Sequence, residues 1–138
     1  MIAKSREAYR AYRISPDDTN RLVLVFDPLG EQANFVFAIE IFDVGGRTPP
    51  NVHSAAQEMF YVLSGEGIAY SEGNSIRFRR GDSLLLPPGT AHQIENTGPG
   101  RLYCLTVMVP NQDFAELIRA GEPVAIDDED WAVLLGAD

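Results

Sequence analysis

Two histidines are all the imidazole this chain carries, and each stands near residues that could share work with it. One segment reads Gly45-x5-Asn51-x-His53-x4-Glu58-x6-Gly65. A second reads Gly81-x5-Pro87-x-Gly89-x2-His92-x3-Asn96. Imidazole nitrogen and carboxylate oxygen are the donors that hold divalent first-row metals. The chain is therefore read as binding one metal ion. Taken singly, His53 would pass for a surface-loop residue and His92 for an ordinary strand residue. Both in step with Glu58 and the glycines point to ligation.

The elements that must position these side chains are short strands. Residues 22–26 form an apolar run closed by Asp27-Pro28-Leu29-Gly30, and 34–42 a longer β-branched and aromatic run. A loop at 45–51 carries Pro49 and Pro50. In the strand expected over 58–63, Glu58, Phe60 and Val62 share one face; Met59, Tyr61 and Leu63 share the other. Gln57 then points away from Glu58. A carboxylate on an otherwise apolar face is costly unless something pairs with it. A metal is one such partner and an arginine is another.

Further strands are expected at 68–70, 76–80, 83–86, 91–95 and 101–109, with a hairpin turn at Glu72-Gly73-Asn74-Ser75. Pro87 and Pro88 stiffen the loop that aims His92. Gly45, Gly65, Gly81 and Gly89 are read as turn formers. Residues 5–12 are left open between a short helix and an extended arm. Asn111 can cap one helix that Gly121 stops, and Asp127 a second running through Leu135. Many short strands at even spacing, then a helical tail, indicate an all-β sandwich or barrel rather than alternating β and α. The reading is one domain over 1–138, with a β-core at about 22–109 and the tail at about 111–135.

Composition narrows the partners. A formal net charge of -9 argues against nucleic acid, whose phosphates require a basic face. No apolar run reaches the length of a membrane span, and the basic N-terminus has no apolar stretch behind it, so neither a membrane partner nor a secretory signal is expected. Cys104, the one cysteine, excludes an internal disulfide, fits a reducing cytoplasm and is read as a small buried hydrophobe sharing a face with Leu102 and Thr106. The acidic run Asp127-Asp128-Glu129-Asp130 is read as a solvated first helical turn. Tyr103, Phe60 and Tyr70 are read as packing. No Gly-x-Ser-x-Gly elbow surrounds Ser64, and Gly65-Glu66-Gly67 lacks the third glycine and following helix of a phosphate cradle.

The two segments resemble the paired motifs of the cupin superfamily, small β-barrels of the jelly-roll or double-stranded β-helix type. The second matches at Gly81, Pro87, Gly89, His92 and Asn96. The first matches at Gly45, His53, Glu58 and Gly65, and departs where Asn51 replaces a usual histidine. The resemblance implies that His53, Glu58 and His92 are metal ligands. Asn51 carries over as an oxygen ligand or as a residue behind the ligands; its plainer reading is a turn residue before a strand.

Two imidazoles and one carboxylate with open positions is the donor set of non-haem iron(II) oxygenases. An amide oxygen in place of an imidazole is a harder, weaker donor and favours iron or manganese, with zinc and nickel left open. The site would carry a charge of about +1, suited to attract and polarise an anionic or enolisable small molecule. The leading expectation is an enzyme on a small polar or anionic molecule, dioxygenase-like, with isomerase and lyase open. The alternative is a binding or sensor protein without turnover, and a third is a barrel whose site has decayed. A homodimer is expected, with residues 22–26 offering an edge for a second copy to cover.

Overall fold

The computed structural model describes residues 1–136. Its architecture follows from alternation along Gln57–Ser64 (β4), where Glu58, Phe60 and Val62 are buried while Gln57, Met59 and Tyr61 are exposed, until a register shift after Val62 ends it. A strand with one apolar face must lay it against a second layer. Before β4 come Arg10–Arg13 (β1), Asn20–Phe26 (β2), Pro28–Glu31 (α1) and Val36–Phe42 (β3). After it come Glu66–Ser71 (β5), Asn74–Arg79 (β6), Ser83–Leu86 (β7), His92–Asn96 (β8) and Leu102–Val109 (β9). Phe114–Arg119 (α2), Glu122–Val124 (β10) and Asp128–Leu134 (α3) close the described chain.

Among the described residues the strands form a seven-stranded sheet, ordered β10-β1-β2-β3-β9-β4-β7, and a three-stranded sheet, β6-β5-β8, with antiparallel pairing throughout. Between the sheets lie Phe42, Phe60, Val62, Phe78, Ile94, Leu102 and Cys104. Ala115 and Ile118 of α2 pack on Leu22, Leu24, Val36 and Ala38 of the large sheet. Its other face buries Val23, Ile39, Ile41 and Tyr103, with Val133 and Leu134 of α3 against them. Turn chemistry matches: Glu72 (φ 51) and Gly73 (φ 78) make the two-residue β5–β6 hairpin, left-handed at both positions. No helix among the described residues is long and apolar enough to cross a membrane.

Sequence expectations need correction at several points, and one open reading is resolved. Residues 22–26 lie in β2, which is flanked by β1 and β3 and is therefore not an edge. The segment left open at 5–12 holds a 3₁₀ turn at Arg6–Ala8 and the start of β1. Asp130 is not solvated: it is fully buried beneath α3, ion-paired with Arg21 and hydrogen-bonded to the Tyr103 hydroxyl at 2.9 Å. Asp127 does cap α3, in a capping box with Asp130. The N-cap of α2 is Asp113 rather than Asn111, although the Asn111 side chain accepts from the Ala115 amide at 2.8 Å.

Candidate metal centre

The two histidine-bearing segments converge because their backbones are zipped together. The loop at 45–53 runs alongside β8. The Asn96 amide donates to Gly46, the Thr48 amide to Ile94, and Asn51 and His92 exchange a reciprocal pair of 2.9 Å bonds. Thr48 Oγ1 accepts from the Ile94 amide at 3.0 Å. The Gly89 amide donates to the His53 carbonyl at 2.7 Å, tying the proline-rich turn before β8 to the first motif. His92 thus opens β8, His53 is set down beside it, and the inward face of β4 supplies Glu58.

The three side chains meet. Glu58 Oε1 lies 3.3 Å from His92 Nε2 and 3.8 Å from His53 Nε2. The imidazole centroids are 5.4 Å apart. One donor atom from each residue falls within 4.8 Å of the others, so the group can hold a single metal ion. Glu58 and His92 are buried and His53 is partly so.

Hydrogen bonding fixes which nitrogen of His92 faces the centre. Nδ1 lies 3.2 Å from the Thr90 carbonyl, which can only accept, so Nδ1 carries the proton. Nε2 then has a lone pair directed at the Glu58 carboxylate. Its 3.3 Å approach lacks hydrogen-bond alignment, and Nε2 is buried without a partner. A metal-binding histidine typically donates its other N–H to a carbonyl or carboxylate, as His92 does to Thr90. An unpaired nitrogen against a buried carboxylate calls for a cation, and the donor set fits a divalent transition metal.

Protonation reports the same demand. Burial opposes ionisation of Glu58, but His53 and His92 more than offset it and hold its carboxyl below the usual value. Burial works against a charged His92, but Glu58 and the Thr90 carbonyl outweigh it and raise the imidazole.

The group opens into a cavity of about 770 Å³, within the usual range for small-molecule sites. Asn51 lines it, as do Arg47 and Gln93; on the apolar side stand Leu22, Phe114 and Leu117. The Asn51 side chain makes no hydrogen bond among the described residues, while its backbone is committed to His92. Gln57 is exposed on the opposite face of β4, as its register requires. Cys104 is buried in the interior, and burial pushes its thiol well up, which leaves it inert. Another hollow, of about 630 Å³, is lined by Tyr9, Arg10, Val124 and Trp131, with none of the three donor residues in its wall.

Sequence reasoning missed Asn20 and Glu40, which also line the cavity. The available signal was Glu40 itself, the lone charged residue in the apolar run of β3. Ile39 and Ile41 pack on the outer face, so Glu40 must face inward with Ala38 and Phe42.

The family model describing a cupin domain matches residues 38–108. Among curated proteins, an uncharacterized protein of Methanocaldococcus jannaschii is 29% identical over 81 residues, covering 57% of this chain and 65% of that one. An oxalate-binding protein of Thermotoga maritima is 35% identical over 57 residues, covering 41% and 47%. The matches thus span from about half to just under two thirds of these relatives' lengths. Among solved structures, one described as a predicted oxalate decarboxylase of Thermotoga maritima superposes with a TM-score of 0.69 at 24% identity, covering 80% of this chain and 99% of that one. KdgF from a Halomonas species gives 0.69 at 19% identity, covering 83% and 98%. At such identities the superpositions speak to fold alone.

Proposed function

The chain belongs to the cupin domain family, and from that premise we propose that it binds one divalent transition-metal ion through His53, Glu58 and His92 and acts there on a small polar or anionic molecule. The observation that carries the reading is the buried, partnerless Nε2 of His92 facing Glu58 Oε1. Iron or manganese suits two imidazoles and a carboxylate with Asn51 as an oxygen donor or as a neighbour behind the ligands. When bound, the ion would supply Lewis-acid polarisation of a ligand oxygen and, as iron(II), a place for dioxygen chemistry.

The chain's own residues divide the remaining work. Thr90 holds the His92 ring in one orientation and one tautomer. Leu22, Phe114 and Leu117 keep one wall of the cavity apolar, and Arg47 offers a guanidinium to an anionic group. Dioxygenase-like turnover is the favoured activity. Binding without turnover is the second reading, supported by the oxalate-binding relative. A melting-temperature screen of the metal-loaded protein against small acids and sugars, paired with oxygen-uptake and product assays, tests the choice. Stabilisation with turnover supports the enzyme; stabilisation without it supports the sensor.

A cytoplasmic homodimer remains part of the proposal. What supports the dimer is an exposed apolar group on the outer face at the β4–β7 end of the large sheet, where Met59 pairs with Leu85 beside Tyr61. A monomer mass by light scattering would contradict it.

A further inference from the structure

The cavity wall carries a second carboxyl group that metal ligation does not use. Oε2 of Glu40 accepts a hydrogen bond from Asn20 Nδ2 at 2.7 Å. Asn20 is placed in turn by Thr19, whose hydroxyl accepts from the Arg47 amide at 2.9 Å and has its one proton between Asn20 Oδ1 at 3.0 Å and the Arg47 carbonyl at 3.1 Å. The 2.7 Å approach of Asn20 to Glu40 Oε2 sets the amide with its NH2 toward the carboxyl group and its oxygen toward Thr19. Oε1 of Glu40 is left without a hydrogen-bond partner among the described residues. A buried carboxyl with a free oxygen on a ligand-sized cavity is costly unless a ligand or water meets it.

The charges around it restrict what that ligand can be. Asp17, Asp18 and Glu58 line the same cavity, against the single guanidinium of Arg47. From β9, Cys104 faces Glu40 in register as a neutral thiol. Burial first, then the charges of Glu58 and Asp18, push the Glu40 carboxyl up to about 8 against the opposing Asn20 bond. Oε2 already accepts an N–H, so the proton that the metal-free protein keeps sits on Oε1; an ion held by Glu58 would relieve that residue's share and leave burial as the main cause. A second anionic group reaching this wall would meet carboxyls on several sides.

Resting on the metal-binding reading above, we propose that Asn20 and Glu40 form a second recognition subsite, which takes an uncharged hydroxyl or carbonyl at the far end of a small monocarboxylate whose acid end is held at the ion. Glu40 is then a specificity-determining residue: it accepts monocarboxylates with a neutral oxygen tail and rejects dicarboxylates of the same length.

The test uses a matched pair of probes, 2,5-dihydroxypentanoate and 2-hydroxyglutarate, which share a chelating head and chain length. Mn²⁺ affinity is measured first for the wild type, E40Q and E40L, and calorimetry with each probe follows on the Mn²⁺-loaded proteins. The three proteins are expected to bind Mn²⁺ alike. The wild type should prefer the dihydroxy acid by about tenfold or more. E40Q, which keeps a neutral hydrogen-bonding group, should stay within about threefold of the wild type, and E40L should lose the preference. Absence of Mn²⁺ binding by the wild type overturns the metal reading and this inference with it. Mn²⁺ binding with no wild-type preference, with neither probe bound, or with the preference intact in E40L overturns the subsite alone. The wild-type result decides the matter if E40L does not fold.

Discussion

Nε2 of His92 and Oε1 of Glu58 face each other at 3.3 Å in a buried place, with Nδ1 of the same ring committed to the Thr90 carbonyl. Two lone pairs so placed need a cation between or beside them, and either a proton or a metal ion serves. Without metal the proton takes the part, which is why His92 is raised and Glu58 lowered. Glu58's share of this stability is full above its unfolded value of 4.5 and is lost as pH falls through its lower folded one. That of His92 is full below 6.5 and is lost as pH rises through its higher folded one. Metal must displace that proton. Apparent Mn²⁺ affinity should therefore rise from about pH 6 to about pH 8, with net proton release on binding. Calorimetry in buffers of different ionisation enthalpy measures the release; pH-independent affinity without it would count against ligation by His92.

Asn51 stands where the family pattern has an imidazole, and it lines the cavity with the other three residues. Restoring that donor with Asn51→His should tighten zinc and nickel binding by at least about tenfold, since imidazole is the better ligand for both. Competition against a coloured chelator reads the change. Unchanged affinity would mean that position 51 lies outside bonding reach of the ion.

Glu40 gives a stability signature of its own. Its folded value of about 8 exceeds its unfolded value of 4.5, so the native state holds a proton that the unfolded chain has released between them. Stability from this group is full below 4.5 and falls as pH rises toward 8, by up to about 1.4 kcal/mol per pH unit. Glu40→Gln removes the slope. Urea unfolding of metal-free protein at pH 5 and at pH 8 should show the variant gaining on the wild type at the higher pH, and parallel behaviour would contradict a neutral Glu40.

The pair of Arg21 and Asp130 joins β2 to α3 across the chain, and both side chains are buried. Burial opposes ionisation of Asp130, but the Arg21 guanidinium, the Asp127 amide and the Tyr103 hydroxyl bring its carboxyl down to about 2. Arg21→Met leaves that charge to Arg101, 3.0 Å away, and to the Tyr103 hydroxyl, and should cost about 3 kcal/mol by chemical denaturation. Adding Asp130→Leu should recover part of the loss, because the buried carboxylate that has lost one of its two guanidinium partners is gone. A double variant as unstable as the single one would show that packing, and not the charge, dominates there.

What could be read from the sequence depended on whether the cause was local. The alternation of Glu58, Phe60 and Val62 against Met59 and Tyr61 is a property of consecutive residues of one strand, and it identified the face of β4 that carries the carboxylate. The Glu72-Gly73 turn and the Asp127 capping box are equally local. Arg10–Arg13 is a strand only because it pairs with β2 and with Glu122–Val124, and Glu122–Val124 only because it pairs with β1; neither has the β-branched run that would mark it. For the same reason β2 passed for an edge. Asp130 looked solvated in an acidic run because its partner, Arg21, is 109 residues away. The loop bearing His53 read as a plain proline-rich turn, since its bonds to β8 join two distant segments. Glu40 escaped notice because a charged residue in an apolar strand announces a cost without saying what meets it.

The central claim is convergence of His53, Glu58 and His92 on one ion, and metal stoichiometry tests it most directly. Purified protein is incubated anaerobically with Fe²⁺ or Mn²⁺, freed of excess and analysed, beside His92→Ala and Glu58→Gln variants shown to be folded by circular dichroism. About one equivalent in the wild type and less than about a tenth in either variant is the predicted result. Less than about a tenth in the wild type with either metal, or equal loading in the wild type and His92→Ala, would contradict it.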